Sequence, residues 1–292
     1  MAQDRTALRA DINAQYVREH IDLGMDGTDR MIELSQQWNL APTLEAGGVI
    51  VFPHTGVAEC GHHVAAAVRA SLDSGADTVI VISVLHAFTP EMDEARIRVA
   101  QGGDPSAEKF WGIQGTAIPG PRQEWQYDHA LTSWRHFFRA ETARRGVVGP
   151  RVLERYPNLA GGHPENLPGM DELAREAENA VIVSTADPFH YGIGYGTPAD
   201  GALAPEEGGL ELARTAIEEG IEILAAGDYW GYNQHCVKVM SDARDAGQAF
   251  RYLRGPMHGD ILELTYTDSS AMYNAPRPTW VAGPLIEWKV DG

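Results

Sequence analysis

Three short runs are apolar at successive positions: Val49-Ile50-Val51-Phe52, Val79-Ile80-Val81-Ile82 leading through Ser83 to Leu85, and Val181-Ile182-Val183. Half-buried strands alternate apolar and polar residues, so unbroken runs of this kind belong to central strands covered on both faces. Between the first two lies a stretch with helical spacing, Gly61 to Leu72, that stops at Ser74-Gly75. A strand–helix–strand order of this kind implies a right-handed crossover between parallel strands. Further helices are expected over residues 128–145, 207–226 and 234–249, and strands over 260–267 and 279–288. Residues 88–123, with Ile118-Pro119-Gly120-Pro121, read as a long irregular excursion, and Gly161 to Gly169 as another loop. The pattern predicts a single α/β domain with a central mixed, largely parallel sheet flanked by helices. Residues 1–45 form a peripheral helical lead-in interrupted at Gly24-Met25-Asp26-Gly27, and residues 46–292 form the α/β domain proper.

A histidine follows each apolar run within a few residues: His54, His86 and His190. Ligands of α/β sheets bind outside the carboxyl ends of the strands, so these imidazoles are expected to converge there, as a mononuclear metal site requires. His54 and His86 sit on strand ends and are the better ligand candidates. The adjacent His62-His63 reads as the start of a helix, where neighbouring side chains diverge by about 100°. Asp187-Pro188-Phe189-His190 offers either a ligand pair, a general base held in one tautomer, or a turn with a capping Asp. Asn233-Gln234-His235-Cys236 reads as the opening of a helix, where Cys236 is either a thiolate favoured by the helix N-terminus or a buried inert thiol. Cys60 reads as packing. Tyr191-Gly192-Ile193-Gly194-Tyr195-Gly196 lacks the spacing of a dinucleotide fingerprint.

Composition narrows the function classes. With 41 acidic against 23 Lys and Arg residues and a formal charge of −18, the chain has no basic patch for nucleic acid or anionic membranes. No apolar stretch approaches the roughly 20 residues that cross a bilayer, and the N-terminus lacks the apolar core of a signal peptide. Two cysteines allow no disulfide framework, so a reducing, cytoplasmic setting is expected. Oligomeric state has no signal in the sequence.

Five short motifs in order also resemble the Memo family, related to the class III extradiol ring-cleaving dioxygenases. They are Pro53-His54-Thr55-Gly56, the strand ending at His86, Asp128-His129, Asp187-Pro188-Phe189-His190-Tyr191-Gly192 and Asn233-Gln234-His235-Cys236. The resemblance spans most of residues 47–285. It implies that His54, His86 and Cys236 coordinate a metal, with Asp187 and His190 facing the same pocket. Two departures stand out: Val84-Leu85-His86-Ala87 lacks the family's second histidine, and Val237-Lys238 replaces its Gly-Arg. They make His235 a rival third ligand.

The expected activity is that of an iron(II)-dependent oxygenase acting with dioxygen on a catechol-like or other electron-rich aromatic molecule. His190, helped by Asp187, would move the substrate proton, and His129 would hydrogen-bond substrate or oxygen. Trp111, Trp125, Tyr191 and Tyr195 are candidate pocket walls. The alternatives are zinc-dependent hydrolysis, or a non-catalytic zinc- or copper-handling protein on an enzyme-derived scaffold.

Overall fold

The computed structural model describes residues 5–291. The helices are α1 (Arg5–Leu34), α2 (Ala41–Glu45), α3 (Val57–Asp73), α4 (Pro90–Ala100), α5 (Thr132–Arg145), α6 (Met170–Ala177), α7 (Gly209–Ala225), α8 (Tyr229–Lys238) and α9 (Arg244–Arg254). The strands are β1 (Val49–Phe52), β2 (Thr78–Ile82), β3 (Gly112–Gly115), β4 (Arg151–Asn158), β5 (Val181–Thr185), β6 (Phe189–Gly192), β7 (Met257–Asp268) and β8 (Thr279–Val290). They form one eight-stranded mixed sheet in the order β3-β4-β2-β5-β1-β8-β6, with β7 paired to β8. The centre, β4-β2-β5-β1, is parallel, and the flanking pairs are antiparallel. The single α/β domain expected from the apolar runs is therefore present.

The unbroken apolar runs follow from burial on both faces. Along β1, Val49 and Val51 pack into one core with α6 to α9, while Ile50 and Phe52 pack into another beneath α2, α3 and α5. The same split divides Ile80 and Ile82 from Val79 and Val81 on β2. Each face thus has its own apolar layer, and the sheet reads as apolar throughout.

Several local expectations are corrected. Strands β1 and β2 are parallel but not neighbours: β5 lies between them, so the residues after β5 enter between His54 and His86. The excursion at 88–123 contains α4, capped by Thr89 Oγ1 accepting from the Met92 N–H at 3.2 Å, and the edge strand β3. Its Gly and Pro content masked both. The helix expected over 234–249 is two helices, α8 and α9, broken at residues 239–243. The N-terminal helix is not peripheral, because Ile12 and Tyr16 are buried against the cleft described below. Its expected interruption is real: Gly24 has φ 63° and ψ −172°, a left-handed kink within α1 that glycine tolerates. Met1 to Asp4 of the lead-in lie outside the described residues. Among the described residues no helix is long and apolar enough to cross a membrane.

Candidate metal centre

His54 follows β1 by two residues, His86 follows β2 by four, and Asp187 follows β5 by two. Because β5 is the middle strand of the three, these groups meet at one rim of the sheet. The imidazole centroids of His54 and His86 are 5.2 Å apart, and those of His86 and His129 are 4.3 Å apart and nearly parallel. Ligand atoms of His54, His86 and His129 all lie within 4.8 Å of one another, and so do those of His54, Asp187 and Asp242.

Hydrogen bonds around the two strand-end histidines fix which nitrogen faces the centre. Thr185 Oγ1 donates its proton to the Phe52 carbonyl at 3.0 Å, so at 3.2 Å from His54 Nδ1 it can only accept. His54 Nδ1 must therefore carry the proton. His86 Nδ1 lies 3.0 Å from Asp128 Oδ1, a carboxylate that also accepts the His86 backbone N–H at 2.7 Å. Asp128 is itself held by the Ala130 N–H at 3.0 Å. In their neutral form both imidazoles would therefore turn a bare Nε2 inward, the arrangement by which outer partners orient metal-binding histidines.

The inward Nε2 atoms meet Asp242 Oδ2, at 3.1 Å from His54 and 3.6 Å from His86. Asp242 Oδ1 is occupied by the Asp187 backbone N–H at 2.7 Å, while Oδ2 has no hydrogen-bond partner although it is buried. Three lone pairs facing one another in a buried place repel unless a cation lies among them. Either protons on the imidazoles or a metal ion meets that requirement, and two imidazoles with a carboxylate suit iron(II), zinc or copper.

The electrostatics carry the same signature. Burial lowers the proton affinity of His86, but Asp128 and Asp242 outweigh it and push its pKa up to about 10. At His54 burial is likewise overcome by Asp187 and Asp242, and the pKa is raised. Burial would raise Asp242, yet His54 and His86 hold it far below the usual carboxylate range. Asp187 moves the other way, raised by burial against the opposing charge of His54. His190 and His129 are lowered, by burial first, which favours their neutral form. Each keeps a buried Nδ1 without a hydrogen-bond partner.

A cleft of about 610 Å³ opens onto this centre, and His54, His86, His129, Asp187, His190 and Asp242 all line it. Tyr195 borders it too, edge-on to His190 with ring centroids 5.1 Å apart. Trp111, Trp125 and Tyr191 do not line it: Trp125 packs on Tyr156, and the Tyr191 hydroxyl donates to the Gly201 carbonyl. Arg96 and Arg244 lie on its wall.

The third-ligand expectation changes. Cys236 borders the cleft, but its sulfur falls outside both histidine-containing ligand clusters there. It sits near the end of α8, not at its start, so no helix N-terminus stabilises a thiolate, and burial pushes the thiol up to about 12. His235 turns away, with Nε2 2.9 Å from the Ala216 carbonyl on α7. Asp242 takes the position that neither fills. It went unread because it sits in the break between α8 and α9, inside a stretch that scans as one helix; Ser241-Asp242, a pair that favours turns, is the faint signal. Cys60 is a packed thiol, donating to the Gly56 carbonyl at 3.1 Å.

No protein-family model matches this chain, and no curated protein matches it.

Proposed function

We propose that the chain is a mononuclear non-heme iron(II)-dependent oxygenase acting on a catechol-like or similarly electron-rich aromatic molecule. The observation that carries this reading is the convergence of His54 Nε2, His86 Nε2 and the unpartnered Asp242 Oδ2, since two histidines and one carboxylate with open positions are the donor set of iron(II) oxygenases. The resemblance of five ordered motifs to the Memo family and the extradiol dioxygenases supports it. When bound, iron(II) would supply neighbouring open positions and one-electron chemistry for substrate and dioxygen.

The chain's own groups do the rest. Asp128 and Thr185 hold the two imidazoles in the tautomer that binds metal. Asp187 accepts the His54 backbone N–H at 3.0 Å and so fixes the loop that carries that ligand. His190, which lines the cleft and keeps a buried Nδ1 without a hydrogen-bond partner, is suited to take a hydroxyl proton from the substrate and return it later. His129, stacked on His86, offers a second neutral imidazole for hydrogen bonding. Ile12, Phe88 and Tyr16 give the cleft an apolar and aromatic lining, while Arg96 and Arg244 favour a substrate that has lost a proton.

The test is dioxygen consumption by protein reconstituted anaerobically with iron(II), across a panel of catechols and aminophenols. Uptake is expected with at least one panel member, and its loss in both His54→Ala and Asp242→Asn. Absence of uptake across the panel, with zinc that is lost in Asp242→Asn but kept in Glu263→Gln when the protein is purified without added metal, would replace this reading with a hydrolytic or metal-handling one.

A further inference from the structure

Outside the cleft, a second set of metal-binding groups comes together between a helix and an edge strand. His62 Nε2 and His63 Nε2, on α3, each lie 2.9 Å from the same oxygen, Glu263 Oε2 on β7. The two rings converge, their centroids 4.2 Å apart, although adjacent helical side chains ordinarily diverge. Trp38 closes one side, stacked on His62 at 5.8 Å and edge-on to His63 at 5.6 Å. None of His62, His63 and Glu263 lines the central cleft.

Glu263 reaches this place through a break in strand register. Ile261 pairs with Ile286 and Glu263 with Leu285, so one extra residue, Leu262, is inserted in β7. Ile261 accordingly packs with the core on the far face, and Leu262 with the core beneath α3. In a regular strand Glu263 would share the face of Ile261; the bulge turns it to the side of Leu285 and α3 instead. Bulges re-aim side chains in this way and are frequent beside functional sites.

We propose that His62, His63 and Glu263 form a second, independent site for a divalent ion of the zinc class. Two imidazoles and a carboxylate are a common zinc donor set, with ligand bonds near 2.0–2.2 Å and about 3.3 Å between ligand atoms in a tetrahedron. Accepting the ion requires the 2.9 Å contacts to open by about 0.4 Å, which the Glu263 side chain, 39 % exposed, can provide. His63 is fully buried and His62 nearly so, which makes the imidazoles the rigid part of the site. The ion would tie α3 to the edge strand and leave its fourth position facing solvent on the Glu263 side. A plain hydrogen-bonded clamp is the competing account of the same contacts.

Equilibrium dialysis of the full chain against zinc, with Co²⁺ absorption as a probe of ligand geometry, separates the two. Expected are a zinc equivalent that survives in His54→Ala but is lost in Glu263→Gln and His62→Gln, and tetrahedral Co²⁺ bands that disappear with it. Circular dichroism of the metal-free variants confirms that they fold. Unchanged zinc stoichiometry in Glu263→Gln, or no zinc held by His54→Ala, would overturn the site. Neither result depends on the chemistry of the central cleft.

Discussion

At the scale of single residues, the proton positions set by Thr185 and Asp128 decide what His54 and His86 can do. The Asp128 carboxylate accepts from both the backbone and the ring of His86, so Asp128→Asn keeps the shape but weakens the hold on the tautomer. Metal affinity should fall about 10–100-fold, the range found for lost partners of ligating histidines. Competition with a chromogenic chelator measures this, with Cys236→Ser as the comparison. Because the Cys236 sulfur lies outside the ligand clusters of the cleft, that variant should bind metal as tightly as the parent. A loss in Cys236→Ser equal to that in Asp242→Asn would restore the thiol as a ligand. The motif residues His54, His86, His129, Asp187 and His190 were legible because strand ends and short motifs mark them; Asp242 was not, since a turn between two helices looks like the interior of one.

At the scale of elements, the site depends on how neighbouring segments are pinned. Gly192 ends β6 two residues after His190, with φ 108°, and a Cβ there would sit 2.1 Å from the Pro278 carbonyl oxygen. Gly192→Ala should cost about 2–4 kcal/mol in urea unfolding, because it combines backbone strain with a main-chain clash. It should also disturb His190, so turnover should fall further than the stability loss accounts for.

The contact between α1 and α5 is pH-sensitive in a definable direction. His136 on α5 meets Thr28 Oγ1 of α1 at 2.9 Å, and burial first, then His20 and Arg139, lowers its pKa to about 4. The unfolded chain binds this proton near pH 6.5 and the folded chain only near 4, so stability is full above about 6.5 and falls as the pH drops toward 4. His136→Gln should reduce the fall in melting temperature across that window, with His63, lowered to about 4 by burial, supplying part of the remainder. An unaltered pH profile would remove His136 as a cause.

At the scale of the whole molecule, a formal charge of −18 on 292 residues sets a long-range repulsion that no single ion pair cancels. Raising ionic strength from about 0.01 M to about 0.15 M shortens the screening length from about 30 Å to about 8 Å. The melting temperature should therefore rise with salt; a fall would mean that attractive pairs such as Arg135–Glu154, at 2.5 Å, outweigh the net charge.

The sequence by itself determined the class of fold and the rim where the strand-end histidines and Asp187 collect. Apolar runs must be covered on both faces, and the residues just beyond them must emerge at a strand end, whatever the details of packing. Tertiary structure alone decided that β5 separates β1 from β2, that a turn delivers Asp242 to two imidazoles, and that a bulge aims Glu263 at His62 and His63. Those outcomes rest on contacts between segments far apart in the chain. Local spacing sets the direction of a side chain on its own element, but not which element it will face.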